Sequence, residues 1–129
     1  MRMPSESDEW MRFAQEDLAA AFRLISDEDL PARLACFHAQ QSAEKALKAA
    51  LVAVKKPFPR THDLLALVAI VPDTLRVRLT TVDLAILDPW AVDARYPGDL
   101  PDIERSEAAG VIDVAELTVA IVVELLPLL

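Results

Sequence analysis

Between Pro31 and Pro57 lies the most alanine-rich stretch of the chain, with neither glycine nor proline inside it. Alanine is the best helix former, and the two residues that break helices are missing. The segment is therefore predicted to be one long helix, opened by Pro31 at its first position and ended near Lys55, before Pro57 and Pro59. The rest of the chain agrees with that bias. Hydrophobic residues make up 53% of it, only 2 residues are glycine, and β-branched residues gather near the C-terminus. Such a balance favours helices over sheets.

Other helices follow from periodicity and punctuation. The first is predicted from about Asp8 to Ile25, capped by Ser5 or Ser7, with Asp8 and Glu9 at the positive end of its dipole. Its apolar face holds Trp10, Phe13, Ala14, Ala21, Leu24 and Ile25. Asp17 falls inside this face, where a carboxylate either finds a partner or sits at the edge of the stripe. Thr61 is expected to cap a short helix through about Ile70, closed by Pro72. A further helix is predicted over Asp73 to Leu87, and Asp88-Pro89 restarts a short one carrying Trp90. The last runs from about Glu104 to Leu126. Its polar residues, Ser106, Asp113, Glu116 and Glu124, fill one narrow side, so its apolar surplus is expected to face a second copy of the chain or to sit at the centre of a monomer.

These elements amount to a single all-α domain over 1–129, long enough to bury a core without disulfides or metals. The lone cysteine, Cys36, excludes an intramolecular disulfide and a zinc site built on several thiolates. The N-terminus lacks an apolar signal core, so a cytoplasmic location is expected. Val111 to Leu129 is the most apolar stretch, yet Asp113, Glu116 and Glu124 interrupt it, and no membrane span is expected. The net charge of −8 opposes nonspecific attraction to nucleic acid but leaves room for a local basic groove.

One polar file stands out on the long helix. With Leu34 at zero, His38, Gln41, Lys45 and Lys48 fall at about 40°, 340°, 20° and 320°. The opposite side, with Cys36, Ala43, Leu47, Ala50, Leu51 and Val54, is the expected core face, and Glu44 lies at the boundary. The file is either a solvated face, with Glu44 pairing Lys48, or a site. It contains amines, an amide and an imidazole but no carboxylate, and alanines flank it, which suits the approach of an anionic group. A second cluster is Arg95-Tyr96-Pro97-Gly98: an anion clamp with an aromatic platform, or an arginine paired with Asp93 or Asp99. His62 is a third candidate, as an acid–base group or as a helix-start residue bonded to Asp63 or backbone. The second of these is the preferred role. No phosphate-cradling glycine loop, nucleophile elbow or paired-histidine metal motif is present.

Together these places carry a resemblance. The run from Ala35 to Ala49, ACFHAQQSAEKALKA, resembles the signature helix of the HEPN family. Thr61-His62-Asp63-Leu64 and Ala94-Arg95-Tyr96-Pro97-Gly98 follow in the family's order and at about its spacing, and Trp10 and Asp17-Leu18 also fit. The resemblance implies an all-α, up-and-down four-helix bundle with an additional short helix, about five helices in all, and a homodimer. It also implies a minimal nucleotidyltransferase as partner, with the two acting as a toxin–antitoxin or defence pair. Many such proteins are metal-independent ribonucleases whose motif is an arginine, four to six residues, then a histidine, late in the bundle.

This chain departs from that motif, because no histidine follows Arg95. Arg33 and His38 match the spacing only formally, lying about 140° apart on one helix. A binding role is therefore expected ahead of catalysis. Lys45, Lys48 and Arg95 would hold a nucleotide or RNA phosphate, Tyr96 or His38 would meet base or sugar, and Gln41 completes the file. Asp17, Glu44 and Asp63 would support them, with Asp17 positioning Lys45 or Lys48. No cofactor or metal is expected. The rival readings are a ribonuclease using His38 or His62 as general base with Arg95 on the phosphate, and a dimerisation scaffold without ligand.

Overall fold

The computed structural model describes residues 3–91 and 101–129, and among these there is no strand. Three long helices dominate: α1 (Glu6–Ser26), α2 (Ala32–Ala53) and α5 (Arg105–Leu125). Between α2 and α5 come α3 (Leu64–Val68), α4 (Asp73–Leu79) and a 3-10 helix (Leu84–Trp90); a 3-10 turn (Leu126–Leu128) ends the chain. The all-helical bundle expected from the sequence is the fold observed.

Local chemistry explains the ends. Ser5 caps α1 in a reciprocal box: its Oγ accepts from Asp8 N at 3.1 Å, and Asp8 Oδ2 accepts from Ser5 N at 2.9 Å. Ser7, the other candidate cap, is buried and donates to the Ala49 carbonyl at 2.8 Å, tying α1 to α2. The helix α2 ends in a Schellman motif, with Lys55 in the left-handed region at φ 57° and Lys56 N donating to Leu51 O at 2.9 Å. The cap of α3 is Asp63, not Thr61: its Oδ1 accepts from Leu65 N at 3.0 Å and Ala66 N at 3.3 Å. Thr61 instead accepts from Asp63 N.

The helix expected over Asp73 to Leu87 is split. Thr80 and Thr81 donate their hydroxyls to Val77 O and Arg78 O, at 2.6 and 2.8 Å, which helps close α4 at Leu79. The chain then turns and forms the 3-10 helix, which contains Pro89 near its end; the restart expected at Asp88-Pro89 lies inside this element.

Antiparallel α1 and α2 form a tight hairpin. Ala14 and Ala21 of α1, and Ala35, Ala39, Ala43, Ala46, Ala49 and Ala50 of α2, are fully buried, and such small side chains let the helix axes come close. The centre of the bundle is α2, which meets α1, α3, α5 and the 3-10 helix. The apolar surplus of α5 packs within the same chain, against α1, α2, α4 and the 3-10 helix, through Val111, Ile112, Ala115, Val119 and Val122. Its outer side keeps Asp113, Glu116 and Glu124 exposed, together with Leu117 and Val123. No described helix is long and apolar enough to cross a membrane.

Candidate functional site

The polar file of α2 runs along the open rim of the hairpin. The side of α2 facing inward is sealed by neighbours, so the alanines beside the file are covered and leave no room for an approaching group; that expectation is corrected. What remains accessible is a narrow line of partly exposed side chains: His38, Gln41, Lys45 and Lys48.

Two carboxylates organise this line, and each holds one imidazole and one ammonium. Asp17 projects from α1, and its side chain is only 15% exposed. Its Oδ1 meets His38 Nδ1 at 3.0 Å, and its Oδ2 accepts from Lys45 Nζ at 2.5 Å. The carboxylate in the apolar face of α1 therefore does have a partner, and it is Lys45 rather than Lys48. Glu44 is the second, with a side chain 4% exposed. Its Oε2 accepts from Lys48 Nζ at 2.9 Å, and its Oε1 meets His62 Nδ1 at 2.8 Å. Glu44 is thus buried at the heart of the site rather than at its margin. His62 bonds to this carboxylate through Nδ1, a partner that the spacing along the chain did not suggest.

Lys48 is also enclosed by rings. Its ammonium lies 5.6 Å from the Trp10 centroid and 5.7 Å from that of Phe58, and the two rings meet edge to face at 6.3 Å. With its side chain 11% exposed, Lys48 holds the site together and offers little of itself to a ligand. Lys45 and His38, at 27% and 33% exposed, offer more.

Gln40 is the residue that the sequence reading left out. It is fully buried, and its Nε2 donates to the His62 carbonyl at 3.1 Å and to Glu44 Oε1 at 3.4 Å. Its Oε1 accepts from Gln41 Nε2 at 2.8 Å. The signal was present: on the helical wheel Gln40 falls between Leu47 and Leu51, and an amide on a core face must find partners there. Phe58 was missed because nothing in a proline-flanked loop announces a ring that folds back over a lysine.

Arg95, Tyr96, Pro97 and Gly98 lie outside the described residues. Arg33 is exposed on the outer surface of α2. Cys36 is fully buried, and burial pushes its thiol up to about 11, which makes it a packing residue. No cluster of metal-ligating side chains exists among the described residues.

A small helical bundle with paired carboxylate, imidazole and ammonium groups along the rim of its α1–α2 hairpin defines the class. The chain belongs to the HEPN domain family, whose model matches residues 7–126. It is similar to the crystal structure of TT1696 from Thermus thermophilus, with a TM-score of 0.72 and 29% identity, over 95% of this chain and 98% of that one. No curated protein matches it.

Proposed function

We propose that the protein is a nucleotide- or RNA-phosphate-binding module that acts as a homodimer beside a minimal nucleotidyltransferase, in a toxin–antitoxin or defence pair. The observation that carries this reading is the double hold of Asp17 on His38 and Lys45. One carboxylate fixes an imidazole and an ammonium side by side on a partly exposed rim. Organising both groups before a ligand arrives reduces the entropy lost on binding. Lys45 keeps two N–H donors for a phosphate, and Arg95 and Tyr96 would add a guanidinium and a stacking ring. Lys48 serves the site through Glu44.

Calorimetric titration of the full chain with AMP and with a short RNA tests the reading. Saturable binding is expected, and Lys45→Ala/Arg95→Ala should abolish it. Ligand at 100 times its dissociation constant should stabilise the wild type by about 2.7 kcal/mol. An unmoved melting temperature would instead favour the dimerisation scaffold. Copurification with a coexpressed nucleotidyltransferase, and sedimentation of the protein alone, test the pairing and the homodimer.

The bond from Asp17 to His38 Nδ1 also favours a second reading, a metal-independent ribonuclease. It is the arrangement that aims Nε2 of an imidazole outward as a general base. End-labelled RNA left intact in chelator by the purified protein would remove this alternative.

A further inference from the structure

The direction of each hydrogen bond along the rim follows from partners that can act in only one way. Gln40 Nε2 faces a backbone carbonyl and a carboxylate, both acceptors, so the amide orientation of Gln40 is set. Its Oε1 must then accept, which turns the NH2 of Gln41 inward and leaves the Gln41 carbonyl oxygen as an acceptor for something else. At His38 the ionised Asp17 carboxylate has no hydrogen to give, so Nδ1 carries the proton. In the neutral imidazole Nε2 is then a bare acceptor. Neither Nε2 of His38 nor Oε1 of Gln41 takes part in a hydrogen bond among the described residues.

His38 and Gln41 are three residues apart on α2, which makes them neighbours on the helix surface. With the His38 imidazole neutral, the exposed rim presents two adjacent acceptors, followed at Lys45 by a cationic donor. A phosphate alone matches only the lysine. Two adjacent hydroxyl donors attached to a phosphate match all three groups.

We infer that the site recognises the vicinal hydroxyls of a terminal ribose, with His38 Nε2 and Gln41 Oε1 accepting from the 2′- and 3′-hydroxyls and Lys45 meeting the phosphate. This rests on the nucleotide-binding reading above and narrows it. The ligand is a ribonucleotide with both hydroxyls free, found either as a mononucleotide or as the 3′ end of an RNA. Asp17 is a positioning residue: it sets which ring nitrogen of His38 bears the hydrogen.

Calorimetry compares AMP with 2′-deoxy-AMP and 3′-deoxy-AMP, and a short RNA ending in a free diol with the same RNA ending in a 3′-phosphate. Loss of either hydroxyl should weaken binding about tenfold, the worth of one hydrogen bond. Preference for the free-diol RNA over AMP would assign the site to RNA ends, and the reverse to mononucleotides. In His38→Phe, which keeps a ring of similar size, the ratio of AMP to 2′-deoxy-AMP affinity should fall to near one. In Asp17→Asn the amide can donate to Nδ1, move the hydrogen to Nε2 and erode the same ratio; the nitrogen chemical shifts of His38 report the tautomer directly. Equal affinity for all three nucleotides in the wild type overturns this inference and leaves nucleotide binding standing. So does a ratio unchanged in His38→Phe. Binding of none of the probes removes both.

Discussion

At the scale of single residues, the buried carboxylates decide more than the exposed cations. Glu44 takes the charge of Lys48, a bond from Gln40 and the ring of His62 in a place nearly closed to water. Removing it strands an ammonium that is 11% exposed. Breaking such a pair from one side is far costlier than the pair is stabilising, because the remaining charge is neither solvated nor matched. Glu44→Ala should therefore destabilise the protein by about 3 kcal/mol, read as a lower urea midpoint with an unchanged slope. The Glu44→Ala/Lys48→Met double variant should recover much of that loss, since the rings of Trp10 and Phe58 accept an apolar side chain. On the sequence, Glu44 was visible as a supporting residue at the boundary of the polar file, four residues before Lys48, but not as a buried one. Its burial depends on what covers that side of α2, and a helical wheel carries no record of neighbours.

At the scale of elements, the ends of helices were largely legible because short-range chemistry sets them. Ser5 with Asp8, the prolines around α2, and the start of α5 near Glu104 all fall close to where the punctuation puts them. The long helix over Asp73 to Leu87 was misjudged, because the threonine hydroxyls and the turn after them outweigh an apolar periodicity that would suit a helix. The end of α2 holds a testable strain. Lys55 sits at φ 57°, a conformation that places its Cβ against the backbone. Lys55→Gly keeps the Schellman bonds and relieves that contact, so it should stabilise the protein by about 1 kcal/mol, measured as a raised melting temperature.

At the scale of the whole molecule, a few long-range bonds tie α5 to the rest. Arg105 donates to Ile25 O at 2.6 Å and to Leu30 O at 2.7 Å, which clamps the start of α5 onto the turn between α1 and α2. Arg105→Ala leaves both carbonyls without this donor and should cost about 2 kcal/mol; Arg105→Lys should recover less than half, because an ammonium lacks the fork that reaches two carbonyls. At the other end Arg78 of α4 donates to Glu124 of α5 at 2.7 Å. The guanidinium holds the Glu124 carboxyl below its ordinary value, so its contribution is present above the unfolded value and lost as pH falls through the folded one. The pair is open to solvent, and its effect is small and screened by salt. The melting temperatures of wild type and Glu124→Gln should accordingly differ near neutral pH in low salt and converge in acid or in high salt.

The sequence by itself determined the three long helices, the all-helical bundle, the family and the file His38, Gln41, Lys45, Lys48. Each of these depends on spacing along one chain, and spacing is what a sequence records. Only the tertiary structure decided which of those side chains are offered and which are consumed. Asp17 reaches His38 and Lys45 because fully buried alanines bring α1 close to α2. Lys48 is withdrawn because Phe58 and Trp10 close over it, and Gln41 turns its oxygen outward because buried Gln40 takes its amide hydrogen. These contacts join residues far apart in the chain or fix the sense of a hydrogen bond, and both are settled by packing.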